Sequence, residues 1–156
     1  MATNNAWTQK PTGISRGGAT TITFATTVDA DIAACVGVPH YVLINLGAND
    51  VGAAMVENDV KTAYGYILDA YHTAWPRAWI GVMQVWRRDC DDNCDLFNSW
   101  LGTIVAARSS WAHLGPDERI FLEGGDDGAT YTVEGVHPNA AGYALTAAGW
   151  KTAMGY

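Results

Sequence analysis

Basic side chains are scarce in this sequence. Its 156 residues include nine Lys and Arg against sixteen Asp and Glu, which gives a formal net charge of −7. Because binding to nucleic acid requires clustered positive charge, we expect no nucleic-acid partner.

Long apolar runs are missing as well. No segment approaches the roughly 20 apolar residues that span a bilayer. The N-terminal stretch "MATNNAWTQKPTG" also lacks the charged-then-apolar order of a signal peptide. We therefore expect a soluble chain with no membrane partner, and these residues do not indicate its cellular compartment.

Cysteine is rare, since Cys35, Cys90 and Cys94 are too few for a disulfide framework. Cys90 and Cys94 either bridge across "CDDNC" or remain free thiols. The run "DCDDNCD" resembles a calcium-binding loop, but it lacks the glycine at the sixth place and has Trp100 where the bidentate glutamate belongs. We expect no metal and no cofactor, and we interpret the acidic residues as the start of a helix.

Apolar residues are abundant, at 49% of the total, which is enough to build one compact domain. We divide the chain into a loosely held polar arm at 1–18 and a single domain at 19–156. The β-branched residues of "TTITFATTV" fit a strand, but helical spacing favours a helix from about residue 21.

The rest of the domain alternates between strand and helix patterns. Strands are predicted at 41–46, 78–86 and 119–123. Further helices are predicted at 53–74, at 91–114 and over the C-terminal segment from residue 139. This alternation predicts a three-layer α/β/α fold, with a parallel sheet covered by helices on both faces.

Polar side chains with catalytic chemistry follow these strands. Asn49 and Asp50 follow the strand "VLINL". In parallel sheets, ligands bind at the edge where the strands end. Asn49 can donate its amide hydrogens to an oxyanion, and Asp50 can cap the next helix or accept from backbone amides in its own turn. In "EGVHPN", the spacing can place the Glu134 carboxylate against one nitrogen of His137 and leave the other nitrogen as a base. The other histidines lack partners at metal-ligand spacing and are expected to be structural: His40, His72 and His113.

These stretches resemble sequence blocks of the SGNH hydrolases, the GDSL-type esterases and lipases. "GISRGGATT" is similar to the second block, "GANDV" to the third and "EGVHPNAAGY" to the fifth, and they occur in family order. The resemblance implies a flavodoxin-like fold that hydrolyses small acyl esters or carbohydrate acetates through a serine acyl-enzyme. It also implies that the Gly18 N–H and the Asn49 amide form the oxyanion hole. His137 would be the general base, and Glu134, where most members carry Asp, would orient it.

The serine nucleophile of that family has no counterpart here. In the family it lies in a Gly-Asp-Ser block, on a strand that precedes the second block, and the sequence contains no such block. Ser15 in "GISRG" formally fits G-x-S-x-G, but no buried strand precedes it, as this motif requires. The resemblance therefore implies an N-terminally truncated domain with weak or absent esterase activity on its own.

Without the nucleophile strand, the outer flank of residues 41–46 is expected to lack a partner. The candidates to cover it are "TTITFATTV" folded as a strand, a second copy of the chain, or a separately encoded complementing fragment. We favour a homo-oligomer, because unpaired backbone on a buried strand is costly. The alternative function is therefore an inactive, self-associating binding or assembly module.

Overall fold

The computed structural model describes residues 13, 16–123, 128–134 and 136–156. Most of the expected arm at 1–18, including Ser15, lies outside these residues, as do residues 124–127. The helices are α1 Thr21–Ala25, α2 Val28–Ala34, α3 Ala48–Val51, α4 Glu57–Ala74, α5 Asp91–Ala106, α6 Glu118–Leu122 and α7 Ala140–Ala153. The strands are β1 Tyr41–Ile44, β2 Trp79–Gln84, β3 Ala112–Asp117, β4 Thr132–Val133 and β5 His137–Pro138.

The first three strands form one parallel sheet in the order β1-β2-β3. β2 pairs with β1 from Tyr41↔Trp79 onward and with β3 from Ile80↔Ala112 onward. The α/β architecture with a parallel sheet, expected from the alternating pattern, is thus confirmed. All three strands deliver their carboxyl ends to the same edge of the sheet.

Helices cover both faces of this sheet. On one face, Ile44, Ile80 and Val82 join the buried side chains of α4 and α5 in the main core. On the other face, Trp150 of α7 packs over Gly81 and Gly115, two glycines whose missing side chains make room for the indole. This close approach explains why glycines are tolerated inside β2 and β3, where they otherwise weaken a strand.

The prediction for the third strand was wrong. The sequence pattern placed a helix at 91–114 and a strand at 119–123, but α5 ends at Ala106, β3 spans 112–117, and 119–123 falls mainly in α6. β3 contains Gly115 and Pro116, which have poor strand propensity, and the tertiary contacts override that propensity. Pro116 is tolerated because β3 lies at the sheet edge. Asp117 then caps α6 by accepting from the Arg119 N–H at 2.9 Å.

The helix predicted from about residue 21 is confirmed as α1 and α2. Thr20 caps α1, because its hydroxyl accepts from the Thr23 N–H at 3.3 Å. The proposal that "TTITFATTV" folds as a strand against the flank of β1 is therefore wrong. In the described part of the chain β1 pairs with β2 alone, and Leu43 on β1 is 44% exposed.

The three cysteines are free thiols. Cys94 lies one helical turn beyond Cys90, where its N–H donates to the Cys90 carbonyl. Burial raises the pKa of the Cys94 thiol to about 11. The local bridge across "CDDNC" does not form in this structure.

We expect the Gly81→Ala substitution to destabilise the protein by about 1–3 kcal/mol, because the new methyl group would lie 2.7 Å from a ring carbon of Trp150 and overlap Trp79. Gly102→Ala is the matched control. Nothing lies within 4 Å of a methyl group at Gly102, inside α5, so alanine there should stabilise by up to about 1 kcal/mol. Urea unfolding of both variants measures the difference, and equal free energies of unfolding would contradict this packing.

Candidate active site

The loop after β1 is shaped by Gly47. This residue has a φ of +134°, and a side chain there would overlap the Phe97 ring of α5. Glycine is therefore required on both conformational and steric grounds. The tight turn leads directly into α3, which carries Asn49 and Asp50 at the carboxyl edge of the sheet.

Asn49 and Asp50 bind the loop that contains Gly18. The Asn49 Nδ2 donates to the Ala19 carbonyl at 3.0 Å. Both carboxylate oxygens of Asp50 accept from the Thr21 N–H, at 3.1 and 2.9 Å. Gly18 has a φ of +75°, which glycine adopts readily. The structure thus brings the loop of Gly18 against Asn49, although the two lie some 30 residues apart in sequence.

The expected role of Asp50 needs correction. It was expected to cap the next helix or to accept from amides in its own turn, but its carboxylate accepts from the N–H of the first residue of α1. Asp50 is only 3% exposed, and burial raises the pKa of its carboxyl group, while the Thr21 N–H opposes this shift. A buried carboxylate is costly unless it is hydrogen-bonded, so this contact firmly joins α1 to α3.

Glu134 and His137 lie on a separate β-hairpin. Strands β4 and β5 are antiparallel, with Val133 opposite His137. Glu134 has a φ of +61°, and both side chains are exposed. Among the described residues no hydrogen bond joins the carboxylate to the imidazole, so their pairing stays a prediction.

Asn139 fixes the exit of this hairpin. Its Oδ1 accepts from the N–H groups of Ala141 and Gly142, which caps α7, and its Nδ2 donates to the Thr130 carbonyl at 2.8 Å. One side chain therefore joins the start of α7 to the segment just before β4. An asparagine ahead of a helical run is a recognised start signal, so the sequence alone contained this information.

A buried carboxylate that the sequence pattern did not single out lies beneath the strand ends. Glu118 is 4% exposed, and it accepts from Asn45 Nδ2 at 3.0 Å and from the Trp86 N–H at 3.3 Å. Burial raises the pKa of Glu118 to about 7. The predicted strand at 119–123 begins after Glu118, and no local signal marked this residue as buried.

The serines described by the structure do not occupy the position of a nucleophile at this edge. Ser99 lies within α5, where its hydroxyl donates to the Leu96 carbonyl at 2.7 Å. Ser109 and Ser110 precede β3 and so lie towards the opposite, amino edge of the sheet. Ser15 lies outside the described residues.

Other sequence candidates have structural contacts. His72 stacks on Trp111 with ring centroids 4.1 Å apart, and His113 stacks on Trp79 at 5.0 Å. In the run "DCDDNCD", Asp91 and Asp95 form ion pairs with Arg119 at 3.2 and 3.0 Å. These ion pairs engage two of the acidic residues in this run.

Comparison with known proteins identifies the family. The model of the GDSL-like lipase/acylhydrolase family matches residues 2–145, and the chain belongs to that family. The resemblance seen in the sequence blocks is thereby confirmed. A comparison with curated proteins found no match.

Solved structures share the fold. The esterase EstA from Pseudoalteromonas sp. is 21% identical, with a TM-score of 0.70 over 88% of this chain and 72% of its own. A putative platelet activating factor from Streptococcus pneumonia is 17% identical, with a TM-score of 0.76 over 86% and 68%. A carbohydrate esterase family 3 from Talaromyces cellulolyticus is 20% identical, with a TM-score of 0.65 over 84% and 64%. The chain thus spans about two thirds of the length of these structures.

No helix in the described part of the chain combines the length and apolar character needed to cross a bilayer.

We expect Asp50→Asn to loosen the start of α1, because a neutral amide oxygen accepts a weaker hydrogen bond from the Thr21 N–H than a carboxylate does. The loss should be about 1–3 kcal/mol and should appear as weaker hydrogen-exchange protection of the Thr21 amide. Asp59→Asn, an exposed site on α4, is the matched control. Unchanged protection of Thr21 in the Asp50 variant would show that this contact does not hold the loop.

Proposed function

We propose that this chain is an ester hydrolase domain that acts on small acyl esters or acetylated carbohydrates. The main supporting observation is the contact of Asn49 with the loop of Gly18, because it gathers two oxyanion donors at the carboxyl edge of the sheet. The solved structures that share the fold include an acetyl esterase mutant with acetate ion and a carbohydrate esterase family 3, which supports an acetyl group as the acyl part.

The proposed oxyanion hole consists of the Gly18 N–H and the Asn49 side-chain amide. One Asn49 Nδ2 hydrogen is engaged by the Ala19 carbonyl, which fixes the amide and leaves the second hydrogen for a developing oxyanion. Preorganised donors of this kind stabilise the tetrahedral intermediate of acyl transfer, typically by about 3–4 kcal/mol per donor.

His137 is the proposed general base, and Glu134 its orienting carboxylate. Both side chains are exposed, so the imidazole is accessible to substrate or water. A carboxylate that accepts from one ring nitrogen stabilises the imidazolium formed when the other nitrogen takes a proton. The glutamate has one more methylene than aspartate, which changes its reach towards the ring.

The nucleophile is the missing part of this proposal, since the sequence contains no Gly-Asp-Ser block. A base without its serine activates water at most, and loss of a triad serine costs about six orders of magnitude in kcat. We therefore infer that the chain alone has weak or no esterase activity, and that a complementing segment would supply the serine.

Hydrolysis of p-nitrophenyl acetate tests this inference. We expect the chain to exceed the buffer rate only slightly, because free imidazoles on the surface also cleave this ester. His137→Ala should lower that small rate no more than the matched control His40→Ala, an exposed histidine before β1.

Robust turnover that His137→Ala abolishes and His40→Ala leaves intact would contradict the weak-activity inference. It would leave a serine of this chain, or His137 itself, as the group that attacks the ester or activates water for it. Ser15→Ala would then decide whether the residue in "GISRG" is that serine.

A second candidate function is a self-associating binding or assembly module. It is favoured by the outer edge of β1, which has no partner strand within the described residues, and by the 44% exposure of Leu43 on that strand. Open strand edges with apolar side chains recruit further strands.

Light scattering coupled to size-exclusion chromatography tests this second function. We expect a dimer that Leu43→Lys converts to a monomer, because a charge beside the edge opposes strand pairing. Leu96→Lys is the matched control, since Leu96 is 46% exposed on α5, away from the edge. A monomeric wild-type chain would count against self-association.

A further inference from the structure

Glu118 connects the ends of all three parallel strands. It follows β3 directly, its Oε1 accepts from Asn45, which follows β1, and its Oε2 accepts from the N–H of Trp86, two residues beyond β2. No backbone pairing continues between the strands beyond these points. The carboxylate therefore holds together three segments that have just left the sheet.

Trp86 extends this connection to the hairpin of His137. The indole is 2% exposed and lies against Gly128, where a side-chain carbon would come within 2.9 Å of the ring. Gly128 has a φ of +77°, and its carbonyl accepts from both the N–H and the hydroxyl of Thr132 at the start of β4. The loop before the hairpin thus packs directly on the indole ring.

A carboxylate suits this place better than a neutral side chain. Two N–H donors face it, one at each oxygen, and an ionised carboxylate is an acceptor at both. A glutamine would turn its own NH₂ group towards one of these donors and leave that donor unpaired. A protonated glutamate also presents a donor, its O–H group, on one oxygen, but it can rotate this hydrogen away more easily than a glutamine can turn its NH₂ group.

We propose that Glu118 is a positioning residue that, through Trp86, sets the location of the hairpin carrying His137 relative to the end of β1, which leads to Asn49 on α3. The importance of this positioning for catalysis rests on the proposed hydrolase function. The contacts from Glu118 through Trp86 to the hairpin do not depend on that function. Glu118 itself touches neither proposed donor nor base, and its action passes through Asn45 and Trp86.

Glu118 changes its charge near neutral pH. Burial raises its pKa to about 7, the donors Trp86 and Asn45 oppose this shift, and the neighbouring Asp117 adds to it. Arg119, the next residue, is already paired with Asp91 and Asp95. The connection is therefore complete above neutral pH, where the carboxylate is ionised, and weakens as the pH falls through the pKa.

A pH titration of the ¹⁵N-labelled full chain by NMR tests the proposal between about pH 5.5 and 8.5. We expect the Asn45 side-chain amide and the Trp86 backbone amide to shift with one midpoint near 7, and the amides of Gly128 and Thr132 to follow the same midpoint. Repeating the titration in His137→Gln removes the imidazole as the source of any shift in the hairpin.

Glu118→Gln should abolish all four titrations and displace the Gly128 and Thr132 signals at pH 8. Glu57→Gln is the matched control, because Glu57 is an exposed glutamate paired with Lys61 at 2.5 Å. It should leave the four signals as in the wild-type chain.

Two results would overturn the proposal. The first is a hairpin that stays unchanged while Asn45 and Trp86 titrate, since Glu118 would then be a local structural residue. The second is a midpoint at Gly128 and Thr132 that differs from the midpoint at Asn45 and Trp86, since a group other than Glu118 would then move the hairpin. Both can be read in the wild-type and His137→Gln chains even if Glu118→Gln fails to fold. Failure of the ester hydrolysis assay would affect only the proposed function, because the titration needs no turnover.

Discussion

The parallel direction of the three strands is the constraint on which the candidate site depends. Parallel strands end at one common edge, so polar residues after β1, β2 and β3 meet there although they are far apart in sequence. Asn45, Trp86 and Glu118 make this convergence visible as a set of hydrogen bonds. Asn49 and Asp50 bind the loop of Gly18 at the same edge.

Buried carboxylates carry the long-range connections at this edge, and each lies in an environment that opposes its charge. Asp50 and Glu118 are almost fully buried, and burial raises the pKa of both. Apolar residues would avoid this desolvation, but they would not satisfy two backbone N–H groups that have no partner in regular structure. These are the N–H of Thr21, in the first turn of α1, and the N–H of Trp86, beyond the end of β2. Burying these carboxylates costs free energy, but their hydrogen bonds fix the arrangement of the loops. A fixed arrangement is what the proposed acyl transfer would require.

Local patterns were enough to predict β1, β2, α4 and α7, because each has an apolar pattern with clear boundaries and packs as that pattern indicates. They failed at β3, because Gly115 and Pro116 have low strand propensity. This strand forms because β2 pairs with it and Trp150 fills the space over Gly115. Asn49 was recognisable from its position after a strand. Glu118 was not, since its burial is a property of three converging strands and of no single segment.

The ester hydrolase and the self-associating module require different partners at the open edge of β1. A strand added parallel to β1 would lie about 4.8 Å away and bring its carboxyl end beside Asn45, close to the loop of Asn49. A residue following such a strand would face the proposed oxyanion donors. Two copies related by a twofold axis would instead pair their β1 edges antiparallel, because the same edge meets itself. Such a dimer would cover the exposed Leu43 but bring an amino end to the site. Self-association of this kind therefore completes the sheet without completing the proposed catalytic site, and only a parallel complementing strand would do both.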